Sequence, residues 1–385
     1  VNPTAALLWA ACRREPSPAE VLAAVDAGAD LNEAADIALV QRVSPLLWRA
    51  LEQAGIAADG ERWVDVLQND FGRCHAQSRL MLPRIGPLAL QPLADAGHPA
   101  LVMKGGALAS RYPDPGLRPM DDIDLVLPPE QIKPAVGALG GAGWTPLPER
   151  RPHEIDLTHP ALPGLPIDLH RDLAFWRSRA NRLTSDQLWA ARRNTTLYGA
   201  PAFDLPPEIE IVMLAAHAAK PFHVFARLLW TVDIAMVVTD AEQRDGVDWD
   251  GVGRIAYEAR CPTAVAVALA QAQRLGVASP EELRRVSGGR ERRAAIAPVL
   301  SADWPVMRRD SAIRMSLRYA LVDERRAQAT LVLSDVIGRQ GPAASVKLAA
   351  ILGGRLIRRS WRIATGRSRA PLEPGREKPR DLVKP

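Results

Sequence analysis

Apolar positions along the chain change their spacing twice. Residues 1–95 carry Ala- and Leu-rich segments separated by Pro or Gly, with no two-residue alternation. Leu39, Val43, Leu46, Leu47 and Leu51 fall on helical spacing there, interrupted at Pro45. Residues 98–173 read differently. His98–Met103 is a short apolar run ending at Lys104-Gly105-Gly106, the pattern of a strand meeting a helix start. Asp122–Leu127 alternates polar and apolar positions at its front and stops at Pro128-Pro129. Residues 130–140 predict a helix and 143–145 open a strand. Residues 153–159 and 165–170 predict two more strands, joined by a Pro/Gly-rich turn at 160–164. From Pro206 helical spacing returns, over 207–219, 222–239 and 251–272, with weaker helices to about 364. No internal repeat is present.

These elements predict an α+β protein in which a small mixed sheet is wrapped by helical segments from both termini. The expected organisation is a helical segment over 1–95, a catalytic core over 96–205 and a helical domain over 206–300. Further helices with a basic arm follow over 301–365, then a disordered tail over 366–385, which is polar and Pro-rich.

Composition narrows the class. Of 385 residues, 47% are apolar and 24% charged, which excludes wholesale disorder and a fibrous repeat. The 33 prolines suit helices punctuated by loops. Cys12, Cys74 and Cys261 are far apart, odd in number and outside any Cys/His pattern, so neither a disulfide framework nor a zinc site is expected. A cytoplasmic setting follows from that usage. The apolar stretch before Ala10-Ala11-Cys12 is too short for a lipoprotein leader, and no run reaches the length of a membrane span. The net charge of +5 is local: residues 336–372 hold eight bases and no acid, leaving 41 bases against 44 acids elsewhere.

The candidate chemistry lies between 104 and 170. Asp122 and Asp124 are two apart on a predicted strand, so both side chains leave one face while Ile123 and Leu125 enter the core. Asp168 stands in a second strand with the same alternation, Ile167-Asp168-Leu169. Three carboxylates converging on one point repel one another unless a divalent cation neutralises them, and hard oxygen ligands suit Mg²⁺. Ile155-Asp156-Leu157 repeats the pattern and makes Asp156 a rival third carboxylate. Lys104-Gly105-Gly106 lies between a strand and a helix, where glycines let backbone N–H groups approach a phosphate.

This order resembles the nucleotidyltransferase superfamily of DNA polymerase β type. More closely it is similar to a bacterial family of uncharacterised nucleotidyltransferases. That family has Lys-Gly-Gly, Tyr-Pro, an Arg before Asp-Ile-Asp-Leu and a late Asp-Leu-His. Here these are Lys104-Gly105-Gly106, Tyr112-Pro113, Arg118, Asp122-Ile123-Asp124-Leu125 and Asp168-Leu169-His170. The Val43–Leu47 segment, the His217…Arg227…Trp230…Asp233 spacing and Asp248-Trp249-Asp250 extend the likeness over 20–275. Two features depart from the pattern. The superfamily's Gly-Ser is Gly105-Gly106 here, with Ser110 one turn later, and Pro221 takes the place of a second helical His, with His223 two residues late.

The resemblance implies Mg²⁺-dependent transfer of a nucleoside monophosphate from an NTP to an acceptor the sequence does not name, with pyrophosphate leaving. Asp122, Asp124 and Asp168 are the expected ligands of two metal ions. Lys104, Gly105, Gly106 and Arg118 are the expected nucleotide contacts, and Ser110, His170 and His217 are candidate substrate-facing residues. Phosphoryl or glycosyl transfer by the same site is the second reading, and a toxin–antitoxin component or nucleotide sensor the third. Contact with nucleic acid or an anionic membrane is expected only through the basic arm, whose 345–363 stretch sets Lys347, Arg355, Arg358, Arg359 and Arg362 along one side of a helix.

Overall fold

In the computed structural model the described residues are 1–56, 60–148, 154–170, 183–221, 223–307, 311–323 and 328. The basic arm, the tail and His153 lie outside them. Residues 1–328 form one compact unit.

Helix starts follow the prolines. Pro3, Pro18, Pro45, Pro129, Pro207, Pro262 and Pro280 each stand in the first turn of a helix, where the missing N–H would find no intrahelical partner anyway. The N-terminal segment is helical as expected: Pro3–Ala11, Pro18–Asp26, Leu31–Gln41, Ser44–Gln53 and Arg62–Ala76, the last running on through π-helical turns at Gln77–Met81 and Gly86–Leu90 to Asp95.

Seven strands form one mixed sheet: β1 (Leu101–Met103), β2 (Ile123–Val126), β3 (Thr145–Pro146), β4 (Glu154–Thr158), β5 (Ile167–His170), β6 (Arg193–Leu197) and β7 (Ala200–Asp204), in the order β3-β4-β5-β2-β1-β7-β6. The first five match the expected strands, while the β6–β7 hairpin is an addition to the sequence reading. Tyr198 and Gly199 turn that hairpin with φ 52° and 79°, the left-handed pair that a two-residue connection requires. Two expected helices also change. The 222–239 helix begins only at Leu228, and 251–272 divides into Trp249–Glu258 and Pro262–Ala272, broken at left-handed Arg260 (φ 56°) just ahead of Pro262.

Strand alternation decides what each face of the sheet does. Val102, Ile123, Leu125, Leu157, Ile167 and Leu169 share a core with the helical stretch near 82–93 and with the Pro129–Gly141 helix. Leu101, Met103 and Val126 face the opposite way, into a core built on the Pro207–Ala218 and Leu228–Glu242 helices. The latter helix is buried nearly all round. Trp230, Ile234, Val237 and Val238 join that second core, and Leu228, Leu229, Val232 and Met236 join a third made by the N-terminal helices. No helix among the described residues is long and apolar enough to cross a membrane.

Candidate active site

Register places the acids side by side. β2 runs parallel to β5 with Asp124 opposite Asp168 and Val126 opposite His170. β5 runs antiparallel to β4 with Asp168 opposite Asp156 and His170 opposite Glu154. Side chains two residues apart share a face, so Asp124, Asp168 and Asp156 form one transverse row, with His170 and Glu154 in the next. Asp124, Asp168 and His170 are all buried and bring one ligand atom each within 4.8 Å of one another; Glu154, Asp168 and the partly buried Asp156 converge as closely. Asp122, just ahead of β2 and partly buried, lies outside both groups, though its charge acts on Asp124 and on Asp168. Asp156 and Asp168 are therefore neighbours rather than alternatives.

Lys104 and His170 converge on one oxygen. The Lys104 ammonium pairs with Asp124 Oδ1, and His170 Nε2 donates to the same atom at 2.7 Å. Lys104 adopts φ 48°, a left-handed conformation that costs a non-glycine residue roughly 1–2 kcal/mol, as it leaves β1 for the Lys104–Leu108 helix. Because a carboxylate can only accept, the Asp124 bond places the proton on His170 Nε2. His170 Nδ1 then faces Glu154 Oε2 at 3.6 Å, beyond hydrogen-bond reach.

The carboxylates are electrostatically unequal. Burial works against the Asp124 charge, but Lys104 and His170 outweigh it and hold that carboxyl well below the usual range. Asp168 is pushed up to about 8, first by burial and then by Asp122, Asp124, Asp156 and Glu154. Asp122 is also raised, by burial and by Asp124, against the pull of Lys104. Burial opposes the Lys104 charge too, yet Asp124, Asp122 and Asp168 raise its affinity for the proton. A divalent cation fits this donor set: buried hard oxygens carrying more negative charge than Lys104 balances.

The glycines and Arg118 are also placed by packing and by an ion pair. A Cβ on Gly105 would collide with Arg118 Nη1 and with Met120, and one on Gly106 would meet the Val102 and Ile123 side chains at 2.9 and 3.2 Å. Both positions are thus required by packing beneath the turn. Tyr198 donates its hydroxyl to Gly106 O from the unforeseen hairpin. Arg118, expected at the nucleotide, is buried and forks onto Asp233 through Nε (2.9 Å) and Nη2 (2.8 Å), while Nη1 reaches Pro119 O at 3.1 Å. Tyr112 completes the clamp with its hydroxyl 2.7 Å from Asp233 Oδ1. Three separately noticed residues, Tyr112, Arg118 and Asp233, form one ion-pair network that fixes the turn against the Leu228–Glu242 helix.

The remaining candidates divide. Ser110 is exposed on a short 3₁₀ turn, outside the acidic row. His217 lies at the end of its helix, where burial and the charges of Lys104 and Lys220 drive its pKa well below the ordinary value. Its ring packs with His223 and Trp230 at centroid distances of 4.7 and 5.5 Å. Glu154 was missed by sequence reasoning, although Glu154-Ile155-Asp156 repeats the alternation of Asp122-Ile123-Asp124. All three cysteines are buried and free.

No curated protein and no solved structure matches the chain. A family model described as "Uncharacterised nucleotidyltransferase" matches residues 27–276, well over half of the chain and all of the sheet. With its acidic row on adjacent strands behind a Lys-Gly-Gly turn, the chain belongs to the uncharacterised nucleotidyltransferase family.

Proposed function

We propose that the protein transfers a nucleoside monophosphate from an NTP to an acceptor hydroxyl or amine, in a Mg²⁺-dependent reaction that releases pyrophosphate. The observation that carries this reading is the buried Asp124–Asp168–His170 group, with Asp122 beside it and one lysine facing it. Asp124 and Asp168 would hold the cation, and Asp122 would add negative charge beside them. The cation supplies charge neutralisation at the phosphates and acidifies the attacking acceptor group. Lys104, whose ammonium pairs with Asp124, would supply positive charge to the phosphates. His170 keeps Asp124 oriented through Nε2. The acceptor atom bonds to the α-phosphorus and loses its proton to solvent. The bond to the β-phosphate oxygen breaks, and the electron pair leaves with pyrophosphate.

The test is label transfer from [α-³²P]NTP and, separately, [γ-³²P]NTP to small-molecule and peptide fractions, with Asp124→Asn as control. Label from the α position, with pyrophosphate released and the control silent, supports nucleotidyl transfer. Label from the γ position alone replaces it with phosphoryl transfer, and a hexose increment on the acceptor with glycosyl transfer.

A further inference from the structure

The turn joining the Pro207–Ala218 and Leu228–Glu242 helices holds two consecutive non-glycine residues, Val224 and Phe225, at φ 47° and 54°. A β-branched residue there is an outlier, and each such residue costs roughly 1–3 kcal/mol. The surroundings impose the conformation. Phe225 is buried, donates its N–H to Ala218 O at 2.7 Å and accepts from Trp304 Nε1 at 2.9 Å. Val224 N donates to Lys220 O at 3.0 Å, and Leu228 N is held by Gln41 Oε1 at 2.7 Å. A turn fixed this firmly in a strained form presents its side chains in one arrangement.

Those side chains are cationic and aromatic. His223 Nδ1 donates to His217 O at 2.9 Å, and its ring packs on Trp230 with centroids 4.5 Å apart. Trp230 is buried in a cluster with both imidazoles, so it offers no open ring to a nucleobase. Arg227 is exposed, its guanidinium 5.6 Å from the Trp230 centroid. Lys104, Lys220 and Arg227 all act on His217, and Arg227 also feels Arg42, Asp121 and Asp122. Arg42 is itself paired with Asp121. The Leu228–Gln41 bond and the Arg42–Asp121 pair bring Arg227 to the Asp121-Asp122 edge of the site, where an exposed cation stands beside carboxylates. That pairing of charges suits a metal-chelated polyphosphate, whose metal meets the carboxylates while its remaining charge meets the arginine.

We infer that Arg227, which directly precedes the Leu228–Glu242 helix, is the clamp for the β- and γ-phosphates. This rests on the nucleotidyl-transfer reading and deepens it: Arg227 stabilises the charge that the leaving pyrophosphate gains as the bond to the α-phosphorus breaks. The experiment is calorimetric binding of Mg-pyrophosphate, of each of the four Mg-NTPs and of the matching nucleoside monophosphates to the full chain and to Arg227→Ala and Arg227→Lys. Arg227→Ala should weaken pyrophosphate and NTP by about tenfold or more and leave monophosphate affinity unchanged. Arg227→Lys should recover much of the loss, and neither variant should alter Tm. Unchanged pyrophosphate affinity in Arg227→Ala, or an equal loss for monophosphates, overturns the clamp while the transfer reading stands. Wild-type protein that binds neither pyrophosphate nor any NTP overturns both.

Discussion

Two buried charge clusters sit on either side of the Lys104-Gly105-Gly106 turn, and they are built on opposite principles. In the Tyr112–Arg118–Asp233 network one cation meets one anion, both carboxylate oxygens of Asp233 accept from Arg118, and the tyrosine hydroxyl adds a further bond. In the acidic row Lys104 is shared among Asp122, Asp124 and Asp168, with Glu154 and Asp156 adding further negative charge, so Asp168 is held up at about 8. A balanced buried network holds backbone elements in place, whereas an unbalanced one retains affinity for a cation. The difference separates a structural cluster from a chemical one, although Asp233 and Asp168 are both aspartates nine-tenths or more buried.

The same substitution should therefore have opposite consequences in the two clusters. Asp233→Asn leaves the Arg118 charge buried without a counter-ion and should lower unfolding stability by about 3–5 kcal/mol, read from urea titrations. A loss below about 1 kcal/mol would show that the network is not the structural one. Asp168→Asn should reduce transfer by about 10²-fold or more. In the chelator-treated protein its Tm should be equal or higher, because a carboxylate is removed from a repelling group. It should also lose the rise in Tm that Mg²⁺ gives the wild type. A lower Tm together with normal turnover would reverse the assignment. The two clusters meet at Gly105. Gly105→Ala drives a methyl group into the clamped Arg118 guanidinium, so a stability loss of about 1–3 kcal/mol is expected. If thermal unfolding is unaltered, the turn and the clamp are independent.

Much of this was legible in the chain. Acid–apolar alternation showed that Asp124 leaves its strand opposite Ile123 and Leu125, and Asp168 opposite Ile167 and Leu169, because a strand has a period of two. The same rule, applied to Glu154-Ile155-Asp156, would have found Glu154. What alternation does not contain is register: that Asp124, Asp168 and Asp156 lie in one row depends on which strands pair and in which direction. Long-range partners were hidden for the same reason. Arg118 and Asp233 are 115 positions apart, and only packing of the Leu228–Glu242 helix reveals that the arginine serves the fold. The β6–β7 hairpin was missed because Tyr198-Gly199 is a weaker turn signal than Asn-Gly, although it needs the same left-handed backbone.

The mildest test of the contrast uses protons. His217 is partly buried among cations, and its pKa in the fold lies well below the ordinary 6.5, chiefly through desolvation and then through Lys104 and Lys220. Above pH 7 the imidazole is neutral in both folded and unfolded chains and contributes nothing to the pH dependence. As pH falls through 6.5 the unfolded chain takes up a proton that the folded chain refuses, so stability is lost toward acid by up to about 1.4 kcal/mol per pH unit. His223, depressed to about 4, acts in the same direction until that pH is reached. Glu210, on the same helix as His217, is raised to about 7 by burial despite Arg111, so its protonation favours the fold as pH falls from 7 toward 4.5. The informative quantity is therefore the difference between wild type and His217→Gln in urea titrations at pH 7.5 and 5.5. The variant should lose less stability over that interval by about 1 kcal/mol, the share that the refused proton removes from the wild type. Parallel losses in the two proteins would mean that His217 takes up its proton in the fold as readily as in the unfolded chain.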